Sequence, residues 1–228
     1  IEKAIQDISE KMTSKKVFIV LIAWWTASGK TSAVAQKLND FFSDSQILSM
    51  DNYYKWKKFV EENNLNFDQP EALDLDLFFK NLKDLKSGKT VKTPEYDFKN
   101  SKPIFDKLTI KPSKIIIVEW LFALNEKIIE LWDYKIFVEL WVHSQILRRL
   151  FRDVDRTWEK PRVILNYFLD VVWQMNKKYI EPTRKYADIV LLNDYTASIE
   201  SKNAKLKEDR IKYKISIPNI KEKLWEII

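Results

Sequence analysis

VFIVLIAWWTASGKTSAVAQKLNDFF, residues 17–42, is the stretch that decides the fold. The apolar run Val17 to Ala23 predicts a buried strand. A short polar turn, Thr26-Ala27-Ser28-Gly29, follows it. Lys30 and Thr31 then open an amphipathic helix with Val34, Ala35, Leu38, Phe41 and Phe42 along one face. Strand, turn, Gly-Lys-Thr, helix is the layout of a phosphate-binding loop. Backbone N–H groups and the helix N-terminus point at an anion, the Lys reaches the β/γ-phosphates and the Thr hydroxyl ligates Mg²⁺. The full pattern G-x-x-x-x-G-K-[ST] needs Gly at position 24, where the chain has Trp24 followed by Trp25. Gly allows backbone angles and a close phosphate approach that a Cβ forbids. Taken alone, the stretch also reads as an ordinary β–turn–α unit.

Outward from this stretch, strands and helices alternate. Residues 2–13 carry Ala4, Ile5, Ile8 and Met12 at helical spacing. Gln46 to Met50 predicts a second strand, running into Asp51-Asn52-Tyr53-Tyr54. Residues 55–70 lack periodicity and are expected as a loop over the site. Residues 71–87 predict a helix with Leu73, Leu75, Leu77, Phe78, Leu82 and Leu85 inward, stopped by Gly88. Residues 90–112, broken by Pro94, Pro103 and Pro112, predict a small antiparallel excursion. Lys114 to Val118, Lys135 to Leu140 and Ala187 to Leu192 predict further strands. Helices are expected over 124–132, over 144–154 with Ile146, Leu147, Leu150, Phe151 and Val154 inward, and over 161–180. The tail, 205–228, is expected to add a strand and a closing helix. The fold class is α/β, one domain over 1–228 with a mainly parallel sheet covered on both faces.

Composition narrows the chemistry. The net charge of +6 suits an anionic ligand, although most of the lysines fit an ordinary solvated surface. No aromatic–basic motif argues for nucleic acid. The absence of Cys removes disulfides and thiolate metal sites and agrees with a reducing cytoplasm. The apolar runs are too short to span a bilayer, no signal peptide is visible, and the start at Ile1 suggests that a few residues precede it. Glycine is the anomaly: the chain has 2 Gly and 9 Trp, where average usage would give roughly 16 Gly.

Polar groups collect at predicted strand ends: Lys30 and Thr31, Asp51, and Glu119 after Ile115-Ile116-Ile117-Val118. In a parallel sheet those ends share one edge, so the groups can converge, and a carboxylate there can hold Mg²⁺. Either carboxylate singly reads equally well as a solvated acid. Arg149, Arg152 and Arg156 share a helix face that can neutralise a triphosphate, or simply face water. Asp68 can accept from ribose hydroxyls and Tyr96 can stack on a base, although loop turns also favour Asp. His143 reads as structural or surface.

The motifs ASGKT (27–31), MDNYYK (50–55), NFDQPEALDLDL (66–77), PEYDF (94–98), IIIVEW (115–120), LRRLFRD (147–153) and YIEPTRKYADIVL (179–191), in this order, resemble the uridine kinase (uridine–cytidine kinase) family. The resemblance covers about residues 15–193. It implies a P-loop NTPase-type three-layer sandwich that uses ATP or GTP to phosphorylate a pyrimidine ribonucleoside at its 5′-hydroxyl, with Mg²⁺. By the same resemblance, Ala27, Ser28, Gly29 and Lys30 would hold the phosphates and Thr31 the metal. Asp51 would be the general base near the metal, with Glu119 a metal-side carboxylate. Asp68 would hold the ribose hydroxyls, and Tyr54, Tyr96, Arg156 and Asn166 would line the nucleoside side. Arg149 and Arg152 would clamp phosphates. Residues 144–180 would supply the lid and long helix, and 90–112 part of the nucleoside pocket. A cytoplasmic protein, possible tetramers and no nucleic-acid or membrane partner are implied too. Phosphoribulokinase-like kinases and a non-catalytic nucleotide-binding relative are the alternatives.

The chain departs from the family where Trp24 and Trp25 replace Gly-Gly, Trp120 replaces the Gly of Val-Glu-Gly, and Trp158 falls where relatives have Gly. Gln69 stands where many members have His, and Ser101 stands near a base-reading His. Three explanations are open: a non-catalytic relative, deliberate inactivation by mutation, or UGA codons meaning Gly read as Trp. The third is the one expected here, because it accounts for the depletion of Gly throughout as well as for the positions.

Overall fold

The computed structural model describes residues 1–24, 34–119, 126–157 and 159–193, with side chains for all of these except 126, 127 and 155–157. They lie in one compact unit, Ile1–Asn193. The expected phosphate-loop residues Ala27, Ser28, Gly29, Lys30 and Thr31, together with Trp25, Trp120, Trp158 and the tail, lie outside the described residues, as does the side chain of Arg156.

The centre is a five-stranded sheet in the order β2-β5-β1-β6-β7. Its strands are β1 (Phe18–Trp24), β2 (Ser45–Ser49), β5 (Ile115–Glu119), β6 (Tyr134–Glu139) and β7 (Ile189–Leu192). Every pairing is parallel. All seven residues of β1 and all five of β5 are buried. This is why both read as unbroken apolar runs rather than alternating ones. Helix α1 (Glu2–Lys11) packs on the core through Ala4 and Ile8, and α2 (Gln36–Phe41) through Leu38. The Tyr134 hydroxyl donates to Asp7 Oδ2 at 2.7 Å.

The antiparallel excursion is present as β3 (Val91–Asp97) and β4 (Lys102–Ile110), with a register shift between Thr93 and Glu95 at Pro94. Pro cannot donate to a ladder, so the irregularity falls there. Asn81 on α4 (Leu75–Lys86) ties this hairpin inward: its amide donates to the Tyr53 hydroxyl at 3.0 Å and to Lys92 O at 3.4 Å.

Four expectations need correction. Residues 55–70 are not all loop, since Lys57–Glu62 form helix α3. Only Val60 of it is buried, so there was no apolar period to read. The helix expected over 71–87 begins at Leu75, where the Asp74 carboxylate caps it by accepting from the Leu77 N–H at 3.1 Å. Leu73 instead forms a β-bridge with Tyr54. The piece expected as helix over 124–132 is a 3-10 turn, Glu126–Leu131. Lastly, the helix near 144–154 is α5 (Val142–Thr157), and its expected inward face is covered only in part: Ile146, Leu150 and Val154 are half-buried. Leu147 is 53% and Phe151 40% exposed, whereas Ser144 and Gln145 are buried. The long helix runs as α6 (Pro161–Tyr167), continued by π-helical and α-helical turns to Ile180. Among the described residues no helix is long and apolar enough to cross a membrane.

Candidate active site

Parallel pairing puts the C-terminal ends of β1, β2 and β5 on one edge. Glu119, the last residue of β5, is in register with Ile22 of β1 on one side and Ser49 of β2 on the other. It is 2% exposed, a degree of burial that a carboxylate tolerates only with partners. Two residues beyond Ser49 the chain turns through a 3-10 segment, Met50–Tyr53, which carries half-buried Asp51 at the same edge. β1 ends at this edge too, at Trp24. The indole of Trp24 is 3% exposed and belongs to the hydrophobic core.

A second group of side chains adjoins Asp51. The rings of Tyr54, Phe67, Tyr96 and Phe98 meet edge to face. Centroids are 5.6 Å apart for Tyr54–Phe67 and Tyr54–Tyr96, and 5.1 Å for Tyr96–Phe98. The backbone sets these rings in place. Lys55 N–H donates to Ala72 O and Asp74 N–H to Tyr53 O, both at 2.8 Å. The Tyr96 N–H donates to Asn52 Oδ1 at 3.3 Å, which joins the hairpin to the tip of β2. Burial and the nearby Asp51 and Asp68 carboxylates push the Tyr54 phenol well above its ordinary pKa, so it is a neutral hydroxyl at physiological pH. Burial likewise pushes Tyr96 up to about 12.

The NFDQP turn separates two roles that its composition left open. Asn66 is the turn-former, its Oδ1 accepting from the Asp68 N–H at 2.9 Å. The Asp68 carboxylate is thereby free of turn duty and faces two helices. Arg149 Nη1 of α5 lies 3.7 Å from Oδ1, and the Tyr167 hydroxyl of α6 donates to Oδ2 at 3.4 Å. Desolvation raises the Asp68 pKa above the ordinary carboxylate range, against the lowering effect of Arg149, Arg152 and the Tyr167 hydroxyl. Arg149 is also 5.9 Å from the Tyr167 ring centroid and 3.1 Å, through Nε, from Asp153 Oδ2. Arg152 donates through Nε and Nη2 to the two oxygens of Asp153 at 2.7 and 3.2 Å.

The structure therefore gathers Asp51, Tyr54, Asp68, Tyr96, Arg149 and Arg152 around one end of the sheet. Asn166 is exposed on α6, and its neighbour Tyr167 is the residue that meets Asp68. His143 is exposed, in ring contact with Trp141. Sequence reasoning missed Asn52, Phe67, Asp153 and Tyr167. For Asp153 a signal was present: it stands four residues after Arg149, on the same helix face. For Tyr167 no local pattern pointed to Asp68, which lies far away in sequence.

Asp51 and Glu119 are hard oxygen donors reaching the same edge from neighbouring strands. Among the described residues no group of three or more His, Cys, Asp or Glu gathers to cage a metal. Such a donor set fits Mg²⁺, which is commonly held by one or two carboxylates together with waters and substrate phosphates.

Comparison with known proteins agrees with this layout. The model of the Phosphoribulokinase / Uridine kinase family matches residues 19–199. A uridine kinase of Macrococcus caseolyticus (strain JCSC5402) is 39% identical over 181 residues, covering 77% of this chain and 88% of that protein. Phosphoribulokinase from Rhodobacter spheroides has a TM-score of 0.59 at 16% identity, over 78% of this chain and 70% of its own. D-glycerate 3-kinase from Cryptococcus neoformans var. grubii has a TM-score of 0.60 at 11% identity, over 80% and 88%. These two likenesses concern the fold, an α/β P-loop kinase sandwich with a small antiparallel sheet. With the family match spanning most of its length, this chain belongs to the phosphoribulokinase / uridine kinase family of small-molecule kinases.

Proposed function

We propose that the protein phosphorylates uridine, and cytidine with it, at the 5′-hydroxyl, with ATP or GTP as donor. The observation that carries this reading is the placement of Asp68. Its carboxylate is set between Arg149 and Tyr167 beside the rings of Tyr54, Phe67 and Tyr96. A carboxylate next to aromatic faces suits a ribose carrying a flat base. Identity to uridine kinases supports the same substrate class.

In this reading the nucleoside lies against Tyr54 and Tyr96, with its ribose hydroxyls on Asp68 and its 5′-hydroxyl toward Asp51. Asp51 accepts the hydroxyl proton as the oxygen attacks the terminal phosphorus in line. Ala27, Ser28, Gly29 and Lys30 hold the triphosphate, and Arg152 neutralises charge developing on the transferred group, while Arg149, 3.7 Å from Asp68, serves the ribose side. Arg156 and Asn166 complete the nucleoside side. Thr31, Glu119 and Asp51 would hold Mg²⁺, which when bound neutralises charge on the phosphate oxygens. Positioning and electrostatics supply most of the acceleration. Cytoplasmic pyrimidine salvage is the setting such a reaction fits.

We infer that Trp24 and Trp25 of the phosphate loop, and Trp120 after β5, stand for Gly in the functional protein, through UGA codons. UGG codons at these positions, with an intact mass matching Trp, would end that part of the proposal. The substrate is tested with γ-labelled ATP and a panel of nucleosides and sugar phosphates, using protein with Gly at the three positions. Label is expected on uridine and cytidine. Label on ribulose 5-phosphate with none on nucleosides would overturn the assignment.

A further inference from the structure

Asp153 has no part in the chemistry above, yet it touches both arginines of the site. Its side chain is 16% exposed, that of Arg149 11% and that of Asp68 13%, so this is not the solvated face of a surface helix. Arg149 lies between the two carboxylates. Its Nε is 3.1 Å from Asp153 Oδ2, and its Nη1 is 3.7 Å from Asp68 Oδ1. Both separations exceed the usual length of a charge-assisted hydrogen bond, about 2.7–2.9 Å, and the buried Nε makes no hydrogen bond. Arg149 is thus held to Asp153 as an ion pair and stands farther off from Asp68. A hydroxyl oxygen entering between them can accept from Arg149 and donate to Asp68.

An arginine has several rotatable bonds, and freezing them is costly. The charge of Asp153 beside Nε favours the side-chain arrangement in which the Nη end points toward Asp68. Asp153 also binds Arg152 with both oxygens, which keeps two neighbouring cations from repelling each other.

We propose that Asp153 is a positioning residue for sugar recognition, holding Arg149 at the distance from Asp68 at which a ribose hydroxyl fits. This rests on the nucleoside reading above and adds a residue to it. The effect acts through Arg149 and on the 2′- and 3′-hydroxyls alone.

The test is the ratio of affinities for uridine and 2′,3′-dideoxyuridine, measured by calorimetry so that phosphoryl transfer is not required. Wild type is expected to prefer uridine. Asp153→Asn is expected to cut that preference about tenfold or more while leaving the dideoxynucleoside affinity nearly unchanged. Arg149→Lys, which keeps the charge but has no fork to anchor, should produce the same loss. Adding Asp153→Asn to Arg149→Ala should then change the ratio no further. If Asp153→Asn folds poorly, Asp153→Ser is measured in its place, with the same outcomes expected. An unchanged preference in these variants, or an equal loss for both nucleosides, overturns the role of Asp153. A wild-type chain that binds neither nucleoside, or both alike, overturns the nucleoside reading itself.

Discussion

Asp68 carries the cost of its own function. Burial raises its pKa above the ordinary carboxylate range, so the folded protein binds that proton more tightly than the unfolded chain does. The associated stability is present below the unfolded pKa and lost as pH rises through the folded one. Ionised Asp68 is therefore a liability at neutral pH in the substrate-free protein, while an ionised carboxylate is what accepts ribose hydroxyls. Asp68→Asn is expected to raise the melting temperature at pH 7 relative to wild type, with the difference fading in acid, and to weaken uridine binding about tenfold or more. Melting curves across pH check the first part; a melting temperature lowered at pH 7 contradicts it. In wild type, uridine affinity should fall on acidification at a higher pH than an exposed Asp would give. Legibility at this scale was uneven. Asp51, Asp68, Tyr96 and Glu119 were singled out because strand ends and family motifs pointed to them. Within NFDQP the choice between turn-former and ligand needed coordinates, because Asn66 and Asp68 are both residue types that make turns.

Elements were legible where one property dominated. The fully buried strands β1 and β5 read directly from apolar runs, and the hairpin β3–β4 from its prolines. Helix α5 misled in part: Leu147 and Phe151 are exposed, Ile146, Leu150 and Val154 are half-buried, and the paired charges Arg149 and Asp153 are covered beside them. Hydrophobic periodicity assumes that charge seeks water, and paired charges break that assumption. Helix α4 ended where expected. Gly88 has φ +84°, and nothing lies within 4 Å of the place a Cβ would take, so its requirement is conformational rather than steric. Gly88→Ala is expected to destabilise the protein by about 1–2 kcal/mol, the cost of a left-handed non-glycine residue. Urea denaturation checks this; a neutral substitution would mean that the turn rearranges freely.

At the scale of the whole molecule, convergence rests on sheet order. The insertion of β5 between β1 and β2 places Glu119 beside Ser49 and two residues from Asp51, although the strands are far apart in sequence. Alternation of strands and helices predicted a parallel sheet and hence a shared edge, but strand order is long-range and no local pattern records it. β1 ends at the same edge, at Trp24, six residues before Lys30 in sequence. Phosphoryl transfer is expected there, with Asp51 taking the proton. The most direct measurement is the rate of uridine 5′-monophosphate formation by protein with Gly at positions 24, 25 and 120, alone and with Asp51→Asn added. The expected result is a measurable rate that falls by about 10²–10⁴-fold in the variant, the usual worth of a general base. No product from the Gly form, or a rate unaffected by Asp51→Asn, would contradict it.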